Sequence, residues 1–338
     1  MAKLFTETKK SWQTRNDSFT FIDLFAGIGG FRIALESQGG KCVFGSEWDT
    51  NSQKTYTANF GDVPDGDIKS INEKDVPKHN VLCAGFPCQA FSISGKRQGF
   101  DDTRGTLFFD VARIIKDKRP EVVFLENVKN FAKHDEGNTL AVVLQTLEDL
   151  DYKVFHSILR SSDYGVPQAR ERIYIIAFSK KTKVKNFSFP SPDKDAVSVA
   201  DILEAPRPDL AKIIERDDII IDKDKPLVDN RKPLQIGKIN KGGQGERIYS
   251  TKTVGITLSA YGGGVASKTG AYLVGDVIRK LSPRECARLQ GFPEDFDIPV
   301  SPNLAYKQFG DSVSVPVIKK IFSVILNSYP ILEKHDKS

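Results

Sequence analysis

The segment Phe21-Ile22-Asp23-Leu24-Phe25-Ala26-Gly27-Ile28-Gly29-Gly30 constrains the fold more than any other stretch of the 338-residue chain. A short apolar run breaks into glycines and resumes as Phe31, Ile33, Ala34 and Leu35 at helical spacing, which predicts a strand, a tight turn and a helix. Residues 42–47 read as a second strand ending in Glu47, and residues 80–85 as a later one. A helix with Leu107, Phe108, Val111, Ile114 and Ile115 on one face stops before Pro120, and residues 122–125 then form a buried strand that delivers Glu126 and Asn127. Residues 172–178 form another strand, entered through the polar turn Pro167-Gln168-Ala169-Arg170-Glu171. Strands alternating with helices predict a wound α/β sheet, whose functional groups gather at the carboxyl ends of its strands.

After about residue 185 this alternation fades. Residues 186–235 are rich in Pro, Asp and Lys, and residues 237–270 hold nine glycines, a composition that fits a small, loop-rich β-type unit. Helical periodicity returns over residues 283–289 and 315–322. The expected division is a cofactor and catalytic domain over 1–199, a small domain over 200–282, a hinge over 283–310 and a returning catalytic segment over 311–338. Residues 231–272 carry seven Lys or Arg against the single acid Glu246, enough to account for the net charge of +5 of the whole chain. A basic segment of this kind suits a polyanion and equally suits a solvated lysine-rich loop.

No run of about 18 apolar residues is present to span a bilayer. The N-terminus has no apolar export signal, so a reducing cytoplasm with free thiols is expected. The cysteines at 42, 83, 88 and 286 and the histidines at 79, 134, 156 and 335 show no paired metal-ligand spacing, and no metal is expected.

Arg32 stands where a dinucleotide fingerprint places its third glycine, which weakens a pyrophosphate reading. Glu47 at a strand end suits a ribose diol and Trp48 beside it offers a flat face to adenine, so a nucleoside cofactor without phosphates fits, S-adenosylmethionine first among them. Gly27 and Gly29 shape the turn, and Asp67-Ile68, after Gly66, can supply a further adenine contact. Cys88 follows Pro87 just past a buried strand, a position that presents a thiol to a cleft, whereas Cys42, Cys83 and Cys286 read as core. A thiol of ordinary pKa, about 8.5, is only a few per cent thiolate at neutral pH, so a nucleophilic Cys88 needs assistance. Glu126 suits a buried acid of raised pKa that could hydrogen-bond a ligand, and a strand-end carboxylate paired with a lysine would read the same. Arg170 or Arg172 can hold a ligand oxygen or a phosphate, or form an exposed basic turn.

Phe25-Ala26-Gly27-Ile28-Gly29-Gly30, Gly85-Phe86-Pro87-Cys88-Gln89, Glu126-Asn127-Val128, Gln168-Ala169-Arg170-Glu171-Arg172, the block from Arg284 to Pro293, and Gln308-Phe309-Gly310-Asp311-Ser312-Val313 occur in the order and spacing of one family. Together they resemble the bacterial type II DNA (cytosine-5-)-methyltransferases, and the blocks span residues 21–317. The variable stretches 241–250 and 257–264 are similar to the target-recognition loops of members that modify the first cytosine of GCGC.

The resemblance implies a Rossmann-like S-adenosylmethionine-dependent α/β domain with a small target-recognition domain inserted. It implies that Cys88 attacks C6, that Glu126 contacts N3 and the exocyclic amine, and that Arg172 contacts O2. Phe25, Glu47, Trp48, Asp67 and Pro87 would line the cofactor site. Gln244 and Ser94 would fill the space vacated by a flipped base, with Arg247 and Tyr261 in the major-groove reading surface. Gly95, Gly99 and Gly105 would let residues 87–106 act as a lid.

The expected partners are double-stranded DNA and, functionally but without a stable complex, a restriction endonuclease. A monomer is expected. Asp311 departs from the pattern, since the family usually has asparagine there; an ionised carboxylate only accepts hydrogen bonds, where an amide also donates. A tRNA-cytosine methyltransferase would share the catalytic blocks but not the glycine-rich loops. A DNA-binding regulator would be free to lose Cys88 or Glu126, and a nicotinamide dehydrogenase has no use for a Pro-Cys nucleophile.

Overall fold

Four strands with apolar cores, β1 (Phe19–Leu24), β2 (Gly40–Ser46), β3 (Val81–Gly85) and β4 (Val122–Val128), lie parallel in the computed structural model, in the order β2-β1-β3-β4. The structure describes residues 10–14, 17–88, 107–205 and 212–330. Two further strands, β5 (Tyr152–Arg160) and β6 (Glu171–Ser179), complete a six-stranded sheet in the order β2-β1-β3-β4-β6-β5. β6 runs antiparallel to β4, so the chain enters it at the end where the parallel strands finish. Arg170 and Arg172 thereby arrive beside the carboxyl end of β4. The wound sheet expected from the sequence is present, with this reversed pair at one side.

Side chains alternate between two layers, as a strand period of two dictates. Phe19, Phe21, Cys83 and Phe124 face one apolar cluster, and Ile22, Leu24, Leu82 and Leu125 face the other. The first layer holds α1 (Gly30–Glu36) and α7 (Val315–Ser328), and Phe322 of α7 meets Phe19 at 5.0 Å between ring centroids. The second holds α3 (Leu107–Lys118) and α4 (Asn138–Asp149). Covering both faces is what makes the strands read as continuous apolar runs. Because β1 has β2 on one side and β3 on the other, connections leave it in opposite directions, and a crevice opens beyond the carboxyl ends of β1 and β3.

A second sheet has five short strands in the order β11-β10-β9-β8-β7, comprising β7 (Ile219–Ile221), β8 (Gln235–Ile239), β9 (Arg247–Ser250), β10 (Ala271–Val274) and β11 (Val277–Arg279). Its own core is small, centred on Ile214, Ile236, Ile239 and Ile248. Three more helices, α2 (Thr50–Phe60), α5 (Pro283–Leu289) and α6 (Pro302–Asp311), flank the crevice or join the sheets. Ser282 caps α5, and Glu285 in its first turn receives both terminal nitrogens of buried Arg279 from β11, at 2.7 Å each. Among the described residues, no helix is long and apolar enough to cross a membrane.

Candidate active site

The turn after β1 begins at Phe25, which adopts the left-handed conformation (φ 56°) that a side chain disfavours. The turn is held from β2, since Glu47 Oε2 accepts from the Gly27 N–H at 2.8 Å and Oε1 from the Asp49 N–H at 2.7 Å. Burial pushes this carboxyl above its usual range. Each oxygen keeps acceptor capacity beyond its one backbone partner. Gly29 occupies the N-cap of α1.

Arg32, the residue in place of a third fingerprint glycine, ties α1 to α2. Its Nη1 donates to both carboxylate oxygens of Asp62, at 2.7 and 2.8 Å, and to the Tyr56 hydroxyl; its Nε donates to Glu36, and the guanidinium lies 4.4 Å from the Phe60 ring centroid.

A cleft of about 670 Å³ fills the crevice. Phe25, Gly27, Glu47, Trp48, Asp67 and Ile68 line one side. Trp48 is 71% exposed, while Ile68 is buried and Asp67 accepts from the Lys69 N–H, fixing the turn that carries them. Pro87 and Cys88 follow β3 into the same space, with Glu126, Arg170, Arg172, Tyr261 and Asp311 opposite. Gly85 pairs with Glu126 in the sheet, so the Pro-Cys turn and the acid leave neighbouring strands side by side. Asn127 Nδ2 donates to the Phe86 carbonyl at 2.8 Å and fixes the backbone just before Pro87.

Cys88 is exposed, whereas Cys83 and Cys286 are buried and Cys42 is half-buried. The thiol of Cys88 is lifted above its ordinary value by partial burial, and among the described residues no cationic group offsets that. Glu126 is 8% exposed, and desolvation raises its carboxyl despite the opposing charges of Arg172 and Arg170. Arg172 Nε lies 3.2 Å from Glu126 Oε1, within ion-pair range, but the alignment makes no hydrogen bond, and that oxygen has no hydrogen-bond partner.

Arg170 is buried and turned away from this pair. Its terminal nitrogens donate to the carbonyls of Gly310 at 3.1 Å, Ser312 at 2.7 Å and Leu258 at 3.5 Å. Burial and neighbouring Arg172 pull its pKa down to about 9. Gln168 reinforces the same junction, accepting from the Leu258 N–H and donating to the Leu289 carbonyl and to Gln290. Gly310 permits the close approach: a Cβ there would lie 2.5 Å from the backbone of Ser259 and Ala260.

The cleft thus gathers twelve of the residues predicted from sequence plus Tyr261, which is 73% exposed. Gln244 and Arg247 are exposed on the small sheet and do not line it; Arg247 Nε donates to the Gly242 carbonyl at 3.4 Å. Gly29 stands behind the turn. Ser94 and the proposed lid glycines lie outside the described residues. The two glycine-rich loops touch backbone to backbone. A Cβ at Gly245 would be 1.9 Å from the Gly263 carbonyl oxygen, one at Gly264 would be 2.7 Å from that of Gly245, and the Ala266 N–H donates to the latter.

Sequence reasoning missed Asn127 as an anchor, Lys307 of α6, and the Gln168–Gln290 pair. Lys307 had a readable signal in its spacing of four residues from Asp311.

The strand-end crevice holds an exposed thiol and a buried carboxyl, and the chain belongs to the C-5 cytosine-specific DNA methylases, whose family model matches residues 19–327. It is 54% identical to the type II methyltransferase M.HhaI of Haemophilus parahaemolyticus, over 89% of this chain and 92% of that one. It is 47% identical to M.HpaII of Haemophilus parainfluenzae, over 93% and 92%. The fold matches that of the S. pombe Dnmt2 methyltransferase with a TM-score of 0.67 at 20% identity, covering 91% of this chain and 98% of that one.

The protein is therefore a DNA (cytosine-5-)-methyltransferase, an enzyme of the class that serves type II restriction–modification, and S-adenosylmethionine is its methyl donor. The residues fit that group: a buried carboxylate with free acceptor capacity stands beside an exposed indole face in a cleft of sufficient size.

Proposed function

We propose that the enzyme methylates the first cytosine of GCGC through a covalent adduct at Cys88. The observation that carries the reading is that an exposed thiol and a buried carboxyl, with an arginine beside the latter, share one cleft with the cofactor half. A cytosine stacked in a duplex offers neither C5 nor C6 for attack from above the ring, so the base must first leave the helix. Glu126, its carboxyl pKa raised by burial, hydrogen-bonds N3 and the exocyclic amine, and Arg172 takes O2. Electron withdrawal at N3 makes C6 electrophilic. The Cys88 thiolate then forms the S–C6 bond and C5 becomes nucleophilic.

S-adenosylmethionine supplies a methyl group on a sulfonium centre, held by Phe25, Glu47, Trp48, Asp67, Ile68 and Pro87, with Asp311 at the edge. Once C5 carries the methyl group, its proton passes to a base, the S–C6 bond breaks and the thiolate is regenerated. Arg170 acts as a positioning residue, since its guanidinium is committed to three backbone carbonyls.

Gln244 and Ser94 occupy the vacated space in the duplex, and Arg247 and Tyr261 read bases in the major groove, arginine to guanine being the commonest specific contact. The second sheet, within residues 200–282, serves as the recognition domain; residues 1–199 and 311–338 build the catalytic domain, and 283–310 link them. The enzyme works as a monomer in a bacterial cytoplasm and protects DNA from a cognate endonuclease.

Methyl transfer to a GCGC duplex, to duplexes changed at each base pair, and to one carrying 5-fluorocytosine at the target tests this reading. Fluorine cannot leave as a cation, so the fluorinated duplex should trap a covalent adduct, and Cys88→Ala should trap none. Methyl transfer persisting in Cys88→Ala overturns the mechanism, and equal transfer to the altered duplexes overturns the site.

A further inference from the structure

The amino-acid end of a cofactor cleft must handle charge as well as shape, and here one residue departs from the family at that point. Lys307 Nζ lies 3.6 Å from Asp49 Oδ2 and 3.9 Å from Asp311 Oδ2, so one lysine stands between two carboxylates. Asp49 caps α2, and Lys307 and Asp311 are four residues apart on α6. Arg170 and Arg172 of the β6 entry also act on Asp311, and Arg172 is matched by Glu126. Leaving Asp311 aside, the described lining of the cleft holds four cationic side chains, Lys69, Arg170, Arg172 and Lys307, against four acids, Glu47, Asp49, Asp67 and Glu126. An amide at position 311 would leave that balance unchanged. Burial raises the Asp311 carboxyl while Lys307 and Arg170 oppose the shift, and in its ionised form it lowers the charge of the cleft by one. The cleft is a ligand site on independent grounds, because Glu126, buried to more than nine-tenths, carries within it an oxygen with no hydrogen-bond partner among the described residues.

We propose that Asp311 tunes the cleft to hold the methyl donor in preference to the demethylated product. S-adenosylmethionine carries a sulfonium, an ammonium and a carboxylate, for a net charge of +1, whereas S-adenosylhomocysteine has lost the sulfonium charge and is neutral overall. The two ligands share every other group. A change of one unit in the charge of the cleft therefore alters their relative affinity without altering any contact to the adenosine, and it relieves product inhibition. The inference rests on the reading of this cleft as the cofactor site.

The test is equilibrium titration of the full-length protein with each of the two ligands, without DNA, followed by fluorescence. Trp48 lines the cleft and the only other tryptophan, Trp12, is buried. In Asp311→Asn the preference for S-adenosylmethionine over S-adenosylhomocysteine should fall by roughly three- to tenfold, the size of one unit charge acting across a water-lined cleft. In Lys307→Gln, where a cation is removed, it should move the opposite way. In the unaltered protein the preference should shrink as salt is added. Ratios unchanged in both variants, with both ligands still bound, overturn the role of Asp311 alone. Failure of either ligand to perturb Trp48 in the unaltered protein overturns the assignment of the cleft as well.

Discussion

Partial burial raises the pKa of Cys88, the proposed nucleophile, and no described neighbour supplies a compensating charge. Its alkylation by iodoacetamide in the DNA-free enzyme should keep increasing with pH beyond the ordinary thiol range of about 8.5. A plateau at or below neutrality would show an activating group. On the proposed mechanism Glu126 is the opposite case, an acid that shares a proton with N3 and whose pKa burial raises. Glu126→Gln keeps shape and an N–H donor but cannot share a proton with N3, so turnover should fall by about 10²- to 10⁴-fold with DNA affinity largely retained, read by single-turnover kinetics and binding.

Both residues were legible in the sequence, because a proline before a cysteine and an acid after an apolar strand are local signals. The Asn127 bond to Phe86 and the commitment of Arg170 to three carbonyls were not, since each joins positions that only the folded chain brings together. Proximity in the sequence suggested similar duties for Arg170 and Arg172. Arg170 lies just before β6 and reaches the Gly310 and Ser312 carbonyls, whereas Arg172, inside the strand, stays beside Glu126.

The elements read best were those with an apolar period, namely β1, β3, β4, β6, α3 and α7. β4 extends further than expected, to Val128, because β6 continues to pair with it as far as Arg172. α2 went unread because it buries Ser52, Thr55, Tyr56 and Asn59 and has no apolar stripe. β5 is an edge strand whose solvent face breaks its pattern.

Two predictions belong to single elements. Gly310→Ala would drive a methyl group into the backbone of Ser259 and Ala260, where nothing flexible can yield, and should destabilise the protein by about 1–3 kcal/mol in chemical unfolding. His79, just before β3, is buried with its Nε2 unpartnered, and desolvation lowers its pKa to about 4. Its folded value lies below the unfolded value of about 6.5, so the unfolded chain binds the extra proton and stability falls as pH drops from about 6.5 towards 4, by at most about 1.4 kcal/mol per unit. Unfolding of His79→Gln followed over that range should lack this part of the slope.

At the scale of the whole molecule, two sheets of different character meet where Gln168, Arg170, Gln290 and the α6 terminus converge. The change of composition after residue 185 made the second unit visible in the sequence, but its strand order and its attachment were not, since short strands paired across long loops leave no periodic trace. Buried Arg279 and Glu285 couple β11 to α5. Arg279→Met should cost about 3 kcal/mol, because Glu285 is left charged and uncompensated in the interior, and removing both charged groups together should recover part of that loss. Thermal unfolding of the two variants decides it.

On the proposed reading of the two loops as target-recognition elements, the contact between Gly245 and the Gly263–Gly264 backbone bears on how such an enzyme can change its target. Gly245 in one loop and Gly264 in the other cannot accept a side chain, and neither loop can shift there without displacing the other. Grafting one loop from a relative with a different recognition sequence should therefore give an inactive or poorly folded hybrid, whereas transplanting both as a unit preserves their fit. Inheritance of specificity in this lineage would then proceed by exchange of the paired loops, not by stepwise drift of either one.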